Sequence, residues 1–151
     1  MILWVHVLCG VVCVGACVAF ILAATALAGE PDASLAFAIR AVPPINRLCL
    51  VLAIAIPLTG IGNLFFVARA RGSDLPPEFL GILAAKVSLL VVMAVGLWGA
   101  WRAAAKLQGR STKREAEWCY DANLHRIIAS YGLIVAAGIG ALGLGLWLSG
   151  T

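Results

Sequence analysis

Four long apolar runs dominate this sequence and restrict the folds open to it. The runs are Ile2–Ala28, Ile45–Ala68, Phe79–Ala103 and Ile127–Leu148. Each exceeds the roughly 20 residues that an α-helix needs to cross the apolar core of a bilayer. Transmembrane strands would instead show segments of about 10 residues with alternating polarity. We therefore predict an all-α fold, a four-transmembrane-helix bundle in which residues 1–151 form one integral membrane domain.

The composition excludes a soluble globular domain. Hydrophobic residues make up 63% of the chain and charged residues 12%, with a mean hydropathy of +1.03. Charged residues are about 25% of an ordinary soluble domain. The longest connection, residues 104–126, is a short charged stretch. Because the chain also lacks a nucleophile elbow, a phosphate loop and a dinucleotide fingerprint, we expect no enzymatic activity.

The first run has an alternative interpretation as a secretory signal peptide. Ala26-Leu27-Ala28, followed by Gly29, has the small-residue pattern of a cleavage site. The run has no positively charged segment before it and is longer than the apolar region of an ordinary signal peptide. These features favour a retained transmembrane helix.

Positive charges are unevenly distributed between the two ends of the runs, and the net charge is +4. One side carries Arg40, Arg47, Arg102, Lys106, Arg110, Lys113, Arg114 and Arg126, whereas the other carries Arg69 and Arg71. Lys and Arg accumulate on the cytoplasmic side of membrane proteins. We therefore predict that both termini face the non-cytoplasmic side. The placement of the positive charge then reflects orientation in the lipid bilayer, which is the expected partner, and nucleic acid is not expected.

Prolines divide the region before the second span. The connection Gly29–Pro44 carries apolar residues at helical spacing, which predicts a short helix lying in the inner interface. Pro43-Pro44 is expected to end that helix and to start the second span. Pro57 removes a backbone donor within the span and predicts a kink.

Soft metal ligands are concentrated on one face of the first helix. His6, Cys9, Cys13 and Cys17 fall within a sector of roughly 80° at 100° per residue. Imidazole and thiolate groups suit copper, so we predict His6, Cys9 and Cys13 as metal ligands. Cysteine also behaves as a small hydrophobe, and the alternative is a packing seam. Cys49 and Cys119 lie nearer the inner side, so they are poor candidates for disulfide partners of these thiols.

Polar side chains from three helices are predicted at similar depth in the outer third of the bilayer. They are His6, Asn63 and Lys86, with Thr59 about one turn deeper than Asn63. An ionisable residue inside a membrane span is costly and is a functional hypothesis by default. For Lys86 the alternative is that its long stem reaches the nearby interface. This outer cluster is a predicted site for a metal ion or small ligand.

Haem b is a weaker possibility for a cofactor. His6 and His125 are separated by nearly the full thickness of the bilayer, so they are not an axial pair for one haem in a monomer. A haem held by one histidine and another ligand, or shared between subunits, stays open.

Short motifs in the first three helices resemble a known family. Trp4-Val5-His6, Val14-Gly15, Thr59-Gly60 and Lys86 together are similar to the membrane domain of copper resistance protein D and related small bacterial membrane proteins. The resemblance implies a bundle of the bacterial inner membrane associated with copper handling, and the charge distribution would then place both termini in the periplasm. In this resemblance, His6 matches the family's first-helix histidine. The chain departs from the family in having only four spans and no methionine-rich outer segments.

Two classes of function therefore remain in view. The first is a small non-enzymatic inner-membrane protein that binds copper or a small ligand. The second is a structural accessory subunit of a larger membrane complex, or a homo-oligomer, which packs against other helices. Helix four favours close helix contact because it contains Gly132, Gly138, Gly140, Gly143 and Gly145.

Overall fold

The protein is an antiparallel bundle of four helices in the computed structural model, which describes residues 2–70, 77–108 and 113–150. The helices are α1 (Ile2–Ala26), α2 (Pro31–Ala70), α3 (Pro77–Gln108) and α4 (Lys113–Gly150). The described residues contain no strand. The prediction of an all-α fold with four helices is confirmed. Arg71, Arg110 and the Lys113 and Arg114 side chains, which the charge argument used, lie outside the described part.

All four helices are long and apolar enough to cross a membrane. The candidate spans are Leu3–Ala26, Asp32–Arg69, Glu78–Lys106 and Ala122–Gly145. Large apolar side chains such as Leu58, Ile61 and Phe65 cover the outside of the bundle. Exposed apolar surface of this kind is stable against lipid, since lipid tails are as apolar as the side chains. The chain therefore has the features of a multi-pass membrane protein.

Helix α2 begins earlier than the sequence indicated. Pro31 occupies its first turn, where a missing backbone N–H costs little, and the Glu30 carbonyl accepts the Ser34 N–H at 2.9 Å. The helix continues through Pro43, Pro44 and Pro57. The prediction of a separate interfacial helix ended by Pro43-Pro44 is therefore wrong.

Burial along α2 explains why the two prolines do not end it. The buried positions keep helical spacing on both sides of the proline pair and are Ser34, Ala38, Val42, Asn46, Cys49 and Leu52. One continuous face thus packs into the bundle along this length. Helices in membranes tolerate proline where neighbouring elements compensate for the lost backbone bonds. The link between α1 and α2 is correspondingly short, since Leu27 and Ala28 still donate to carbonyls of α1.

Each helix packs against the next, and α4 closes the ring against α1. The most extensive contact joins α3 and α4, where Gly96 lies against Ser130 and Ile134. Gly138 lies against Val14 at the contact between α4 and α1. Because these glycines have no side chain, the backbones approach closely, as is usual between membrane helices.

The glycines of α4 do not share one role. Gly138 and Gly140 face neighbours within the bundle, whereas a Cβ at Gly132 or Gly143 would meet no heavy atom within 4 Å. Close helix contact within the bundle therefore uses only part of the set of glycines that the sequence offered. Gly132 and Gly143 lie on the outer surface of the bundle.

Aromatic and polar side chains form the centre of the bundle. The ring of Phe20 stacks on Phe37 at 5.5 Å and meets the edge of Tyr131 at 4.9 Å between centroids. Tyr131 is fully buried and donates its hydroxyl to Asn46 Oδ1 at 2.8 Å. This hydrogen bond satisfies a buried hydroxyl and ties α4 to α2.

Candidate functional site

Three buried thiols converge where α1 meets α2. Cys13 and Cys17 stand one turn apart on α1, and Cys49 faces them from α2, with exposed fractions of 2%, 0% and 1%. The three sulfur atoms lie within 4.8 Å of one another, and Cys17 Sγ is 3.8 Å from Cys49 Sγ. We refer to Cys13, Cys17 and Cys49 as the thiol cluster.

The thiol cluster includes Cys49, which was expected near the inner side of the membrane and as a poor disulfide partner for the thiols of α1. That expectation assumed that the second helix starts near residue 45. Because α2 begins at Pro31, Cys49 is 18 residues into the helix, about 27 Å at 1.5 Å per residue. Cys17 and Cys49 were not among the predicted ligands. A pattern in the sequence could have indicated Cys49: it continues the helical spacing of three to four residues set by Ala38, Val42 and Asn46, which places all four on one face of α2.

The spacing of the sulfur atoms suits a metal ion. With metal–sulfur bonds of about 2.3 Å, three sulfurs around one ion in a plane stand about 4 Å apart. The sulfur atoms of Cys17 and Cys49 are 3.8 Å apart and already meet this requirement. The sulfur of Cys13 is no more than 4.8 Å from the other two, so a shift of less than 1 Å would bring it to the same distance. In the present arrangement, the Cys17 and Cys49 thiols make an S–H···S contact. A packing seam alone explains the burial of the thiols but requires no convergence of the sulfurs.

Two of the three predicted metal ligands lie outside the thiol cluster. Cys13 belongs to it, whereas Cys9 is half-buried one turn further along α1 and His6 is almost two turns away. His6 instead contacts α2, as Cys17 does. The soft ligands of α1 therefore follow its contact with α2 from the start of the helix to its centre.

His6 is held by a specific hydrogen bond. Its Nδ1 is 2.9 Å from Thr59 Oγ1, and that hydroxyl donates to the Ala55 carbonyl at 2.7 Å and approaches the Ile56 carbonyl at 3.0 Å. A threonine hydroxyl has one proton. When that proton goes to a backbone carbonyl, Oγ1 accepts from His6 Nδ1–H, and in this tautomer Nε2 carries no proton and keeps its lone pair. A histidine oriented in this way resembles a metal ligand fixed by its second nitrogen.

The other members of the predicted outer cluster do not all reach His6. Lys86 extends toward α4, where its Nζ is 3.4 Å from the Cβ position of Gly145. Asn63 is half-buried about one turn beyond Thr59. The structure thus pairs His6 with Thr59, whereas Lys86 reaches toward α4.

The second histidine lies at the other end of the bundle. His125 is exposed near the beginning of the described α4 side chains, and His6 is near the start of the antiparallel α1. The two histidines cannot serve as an axial pair within one chain. A haem with another ligand set stays an untested alternative.

Comparisons with protein-family models, with curated proteins and with solved structures find no match to this chain. The resemblance to copper resistance protein D therefore stays a prediction from the sequence motifs.

Proposed function

We propose that this chain is a non-enzymatic protein of the bacterial inner membrane that binds Cu(I) at the thiol cluster. The observation that carries the proposal is the convergence of three buried sulfur atoms within 4.8 Å from two helices. Thiolates are soft ligands and select Cu(I) over harder cations. Three ligands also satisfy Cu(I), which does not need the four ligands of a structural zinc site.

The charge of the bound state follows from the apolar surroundings of the thiol cluster. Three thiolates around Cu(I) carry a net charge of −2, whereas two thiolates and one thiol carry −1. Burying an uncompensated charge is expensive, so the smaller charge is favoured. We therefore expect Cu(I) to displace fewer than three protons, so that at least one sulfur binds as a neutral thiol.

The remaining soft ligands of α1 suggest a route toward the thiol cluster. His6 and Cys9 lie on the same face of α1 as Cys13, and the free Nε2 of His6 is a suitable first ligand. The path from His6 to Cys13 covers seven residues, about 10 Å along the helix. In the proposed orientation, His6 is near the periplasmic surface.

Cu(I) titration of the purified protein tests the proposal. The protein is kept reduced and anaerobic, and a chromogenic Cu(I) chelator competes for the metal. We expect one tightly held Cu(I) per chain, with its loss in Cys17→Ser. Cys9→Ser is the matched control because Cys9 lies on the same helix outside the thiol cluster. Binding by the wild type that is equally sensitive to both substitutions, or no binding at all, would contradict the proposal.

The second candidate function, an accessory subunit, is favoured by Gly132 and Gly143. Both lie on the outer surface of α4 with open space beside them, and small residues let a partner helix approach closely. The cysteine face of α1 is not available for such a partner, since Cys13 and Cys17 are buried within the chain. Purification in mild detergent tests this function, which predicts a larger partner in stoichiometric amount.

A further inference from the structure

A cleft separates α2 from α3 in the half of the bundle that carries most of its basic residues. It has a volume of about 160 Å³ and is lined by Pro43, Asn46, Arg47, Trp101, Ala104 and Ala105. We call the nearby set of Arg40, Arg47, Arg102, Lys106 and Arg126 the basic end of the bundle. The sequence motifs did not indicate this cleft, because Trp101 is distant in sequence from Asn46 and Arg47 and the other walls are proline and alanine.

The polar groups of the cleft are hydrogen-bond donors. Arg47 contributes a guanidinium with five N–H groups and no acceptor. Asn46 is buried, and the structure gives its side chain one hydrogen bond among the described residues, which Tyr131 donates to Oδ1. This bond leaves the two Nδ2 hydrogens of Asn46 as donors for a molecule in the cleft. None of the described residues that line the cleft is a carboxylate, so the lining groups favour an anion.

The position of the cleft favours a lipid over a free anion. Trp101 is partly exposed, and the amphipathic indole ring prefers the membrane–water interface. Trp101 is seven residues from the end of α3, about 10 Å along the helix. Pro43, Ala104 and Ala105 give the cleft apolar walls beside its donors. An apolar wall next to phosphate-binding groups fits a lipid, whose phosphate is joined to acyl chains.

We propose that this cleft binds the phosphate group of an anionic phospholipid through Arg47 and Asn46. The guanidinium fork of Arg47 matches the oxygen atoms of a phosphate. Basic pockets between transmembrane helices are suited to anionic head groups. Arg102 has a different contact, since its guanidinium lies 5.5 Å from the ring centroid of Trp98. Arg40, Lys106 and Arg126 are exposed and add attraction for anionic lipid without lining the cleft.

Native mass spectrometry of the intact chain tests the proposal. The protein is equilibrated in detergent with equal amounts of phosphatidylglycerol and phosphatidylcholine, and the lipid that it retains is measured. The wild type is expected to retain phosphatidylglycerol preferentially. Arg47→Gln is expected to reduce this preference by about tenfold, as for the loss of a hydrogen bond to a charged group. Arg126→Gln is the matched control, because it removes one charge from the basic end outside the cleft.

A second variant keeps the test independent of any effect of Arg47 on folding. Asn46→Asp has nearly the same shape and can still accept the Tyr131 hydroxyl, but its carboxylate repels a phosphate. It is expected to lose the preference for phosphatidylglycerol while circular dichroism shows unchanged helix content. The proposal is overturned if the wild type has no preference, or if Arg126→Gln and Arg47→Gln lower the preference equally. Displacement of the lipid by millimolar inorganic phosphate would identify a free anion as the ligand instead.

Discussion

The hydrogen bond between His6 and Thr59 determines which imidazole nitrogen of His6 can bind a ligand. The depth of His6 in the membrane does not determine this. The Thr59 hydroxyl gives its proton to a backbone carbonyl of α2 and so accepts from His6 Nδ1. Which nitrogen of a neutral histidine is protonated depends on the hydrogen bond that the ring makes. The free nitrogen, Nε2, is then the one that can bind a metal ion or another ligand.

We predict that neutral His6 carries its proton on Nδ1 and that Thr59→Val removes this preference. The substitution keeps the shape of the side chain but deletes the acceptor for Nδ1–H. Nitrogen chemical shifts of ¹⁵N-histidine-labelled protein distinguish the two tautomers. Thr25→Val is a matched control, because the Thr25 hydroxyl also donates to carbonyls of its own helix, at 2.9 Å each, but faces solvent or lipid. An Nε2-protonated His6 in the wild type would contradict the prediction.

The residue scale also shows how far sequence reasoning reaches into the site. Depth counting placed His6 and Thr59 in the outer part of the bundle, where they form a hydrogen bond. The partner of Cys17 was missed, because it depends on where α2 begins. The second span was predicted to start at Ile45, whereas α2 begins at Pro31, about 14 residues earlier. Cys49 was therefore expected near a helix end but lies in the interior of the bundle. Distances between helices are not encoded in the spacing along one helix.

At the scale of whole elements, glycine positions decide how closely α3 and α4 pack. A Cβ at Gly96 would be 2.9 Å from both the Ser130 carbonyl oxygen and Ile134 Cγ1. The backbone oxygen cannot move without displacing α4. Gly132, on the other helix of the pair, has no heavy atom within 4 Å of its Cβ position. Sequence reasoning singled out Gly132 but not Gly96, since small residues at an interface and at a surface look alike in a single chain.

We predict that Gly96→Ala destabilises the bundle by about 1–3 kcal/mol, the usual cost of overpacking a well-packed interface. Gly132→Ala is the matched control: its methyl group meets no heavy atom within 4 Å, and alanine favours a helix over glycine, so this variant is expected to be at least as stable as the wild type. Titration of the folded protein with a denaturing detergent, followed by circular dichroism, measures both values. Equal stability of the two variants would show that α3 and α4 adapt to a methyl group without cost.

At the scale of the whole molecule, the helices differ in length by more than the bilayer requires. Helix α1 has 25 residues, whereas α2 has 40 and α4 has 38. At 1.5 Å per residue, α2 is about 60 Å long, twice the thickness of a typical apolar bilayer core. The apolar runs in the sequence correctly indicated four helices but underestimated α2 and α4, because hydropathy marks the part in lipid and not the helical extensions into the head-group region and water.

The distribution of charge along these long helices predicts their orientation. Among the described residues, Arg40, Arg47, Arg102, Lys106 and Arg126 lie toward one end of the bundle and Arg69 toward the other. Because Lys and Arg near helix ends are retained in the cytoplasm, we expect the C-terminus on the periplasmic side. Alkaline phosphatase fused to the C-terminus is then active, since it folds correctly only outside the cytoplasm, and a fused green fluorescent protein stays dark.

Substitution of the basic residues tests whether their positive charge determines the orientation of the chain. Replacing Arg40, Arg47, Arg102 and Lys106 together by Gln removes most of the described positive charge from the basic end, so a fraction of the molecules should insert with the C-terminus in the cytoplasm. That fraction appears as fluorescence of the green fluorescent protein fusion. Arg69→Gln removes a positive charge from the opposite end and is expected to leave the C-terminus outside. Strong fluorescence from the wild-type fusion would contradict the predicted orientation and would place the C-terminus in the cytoplasm. His6 would then also lie near the cytoplasmic side.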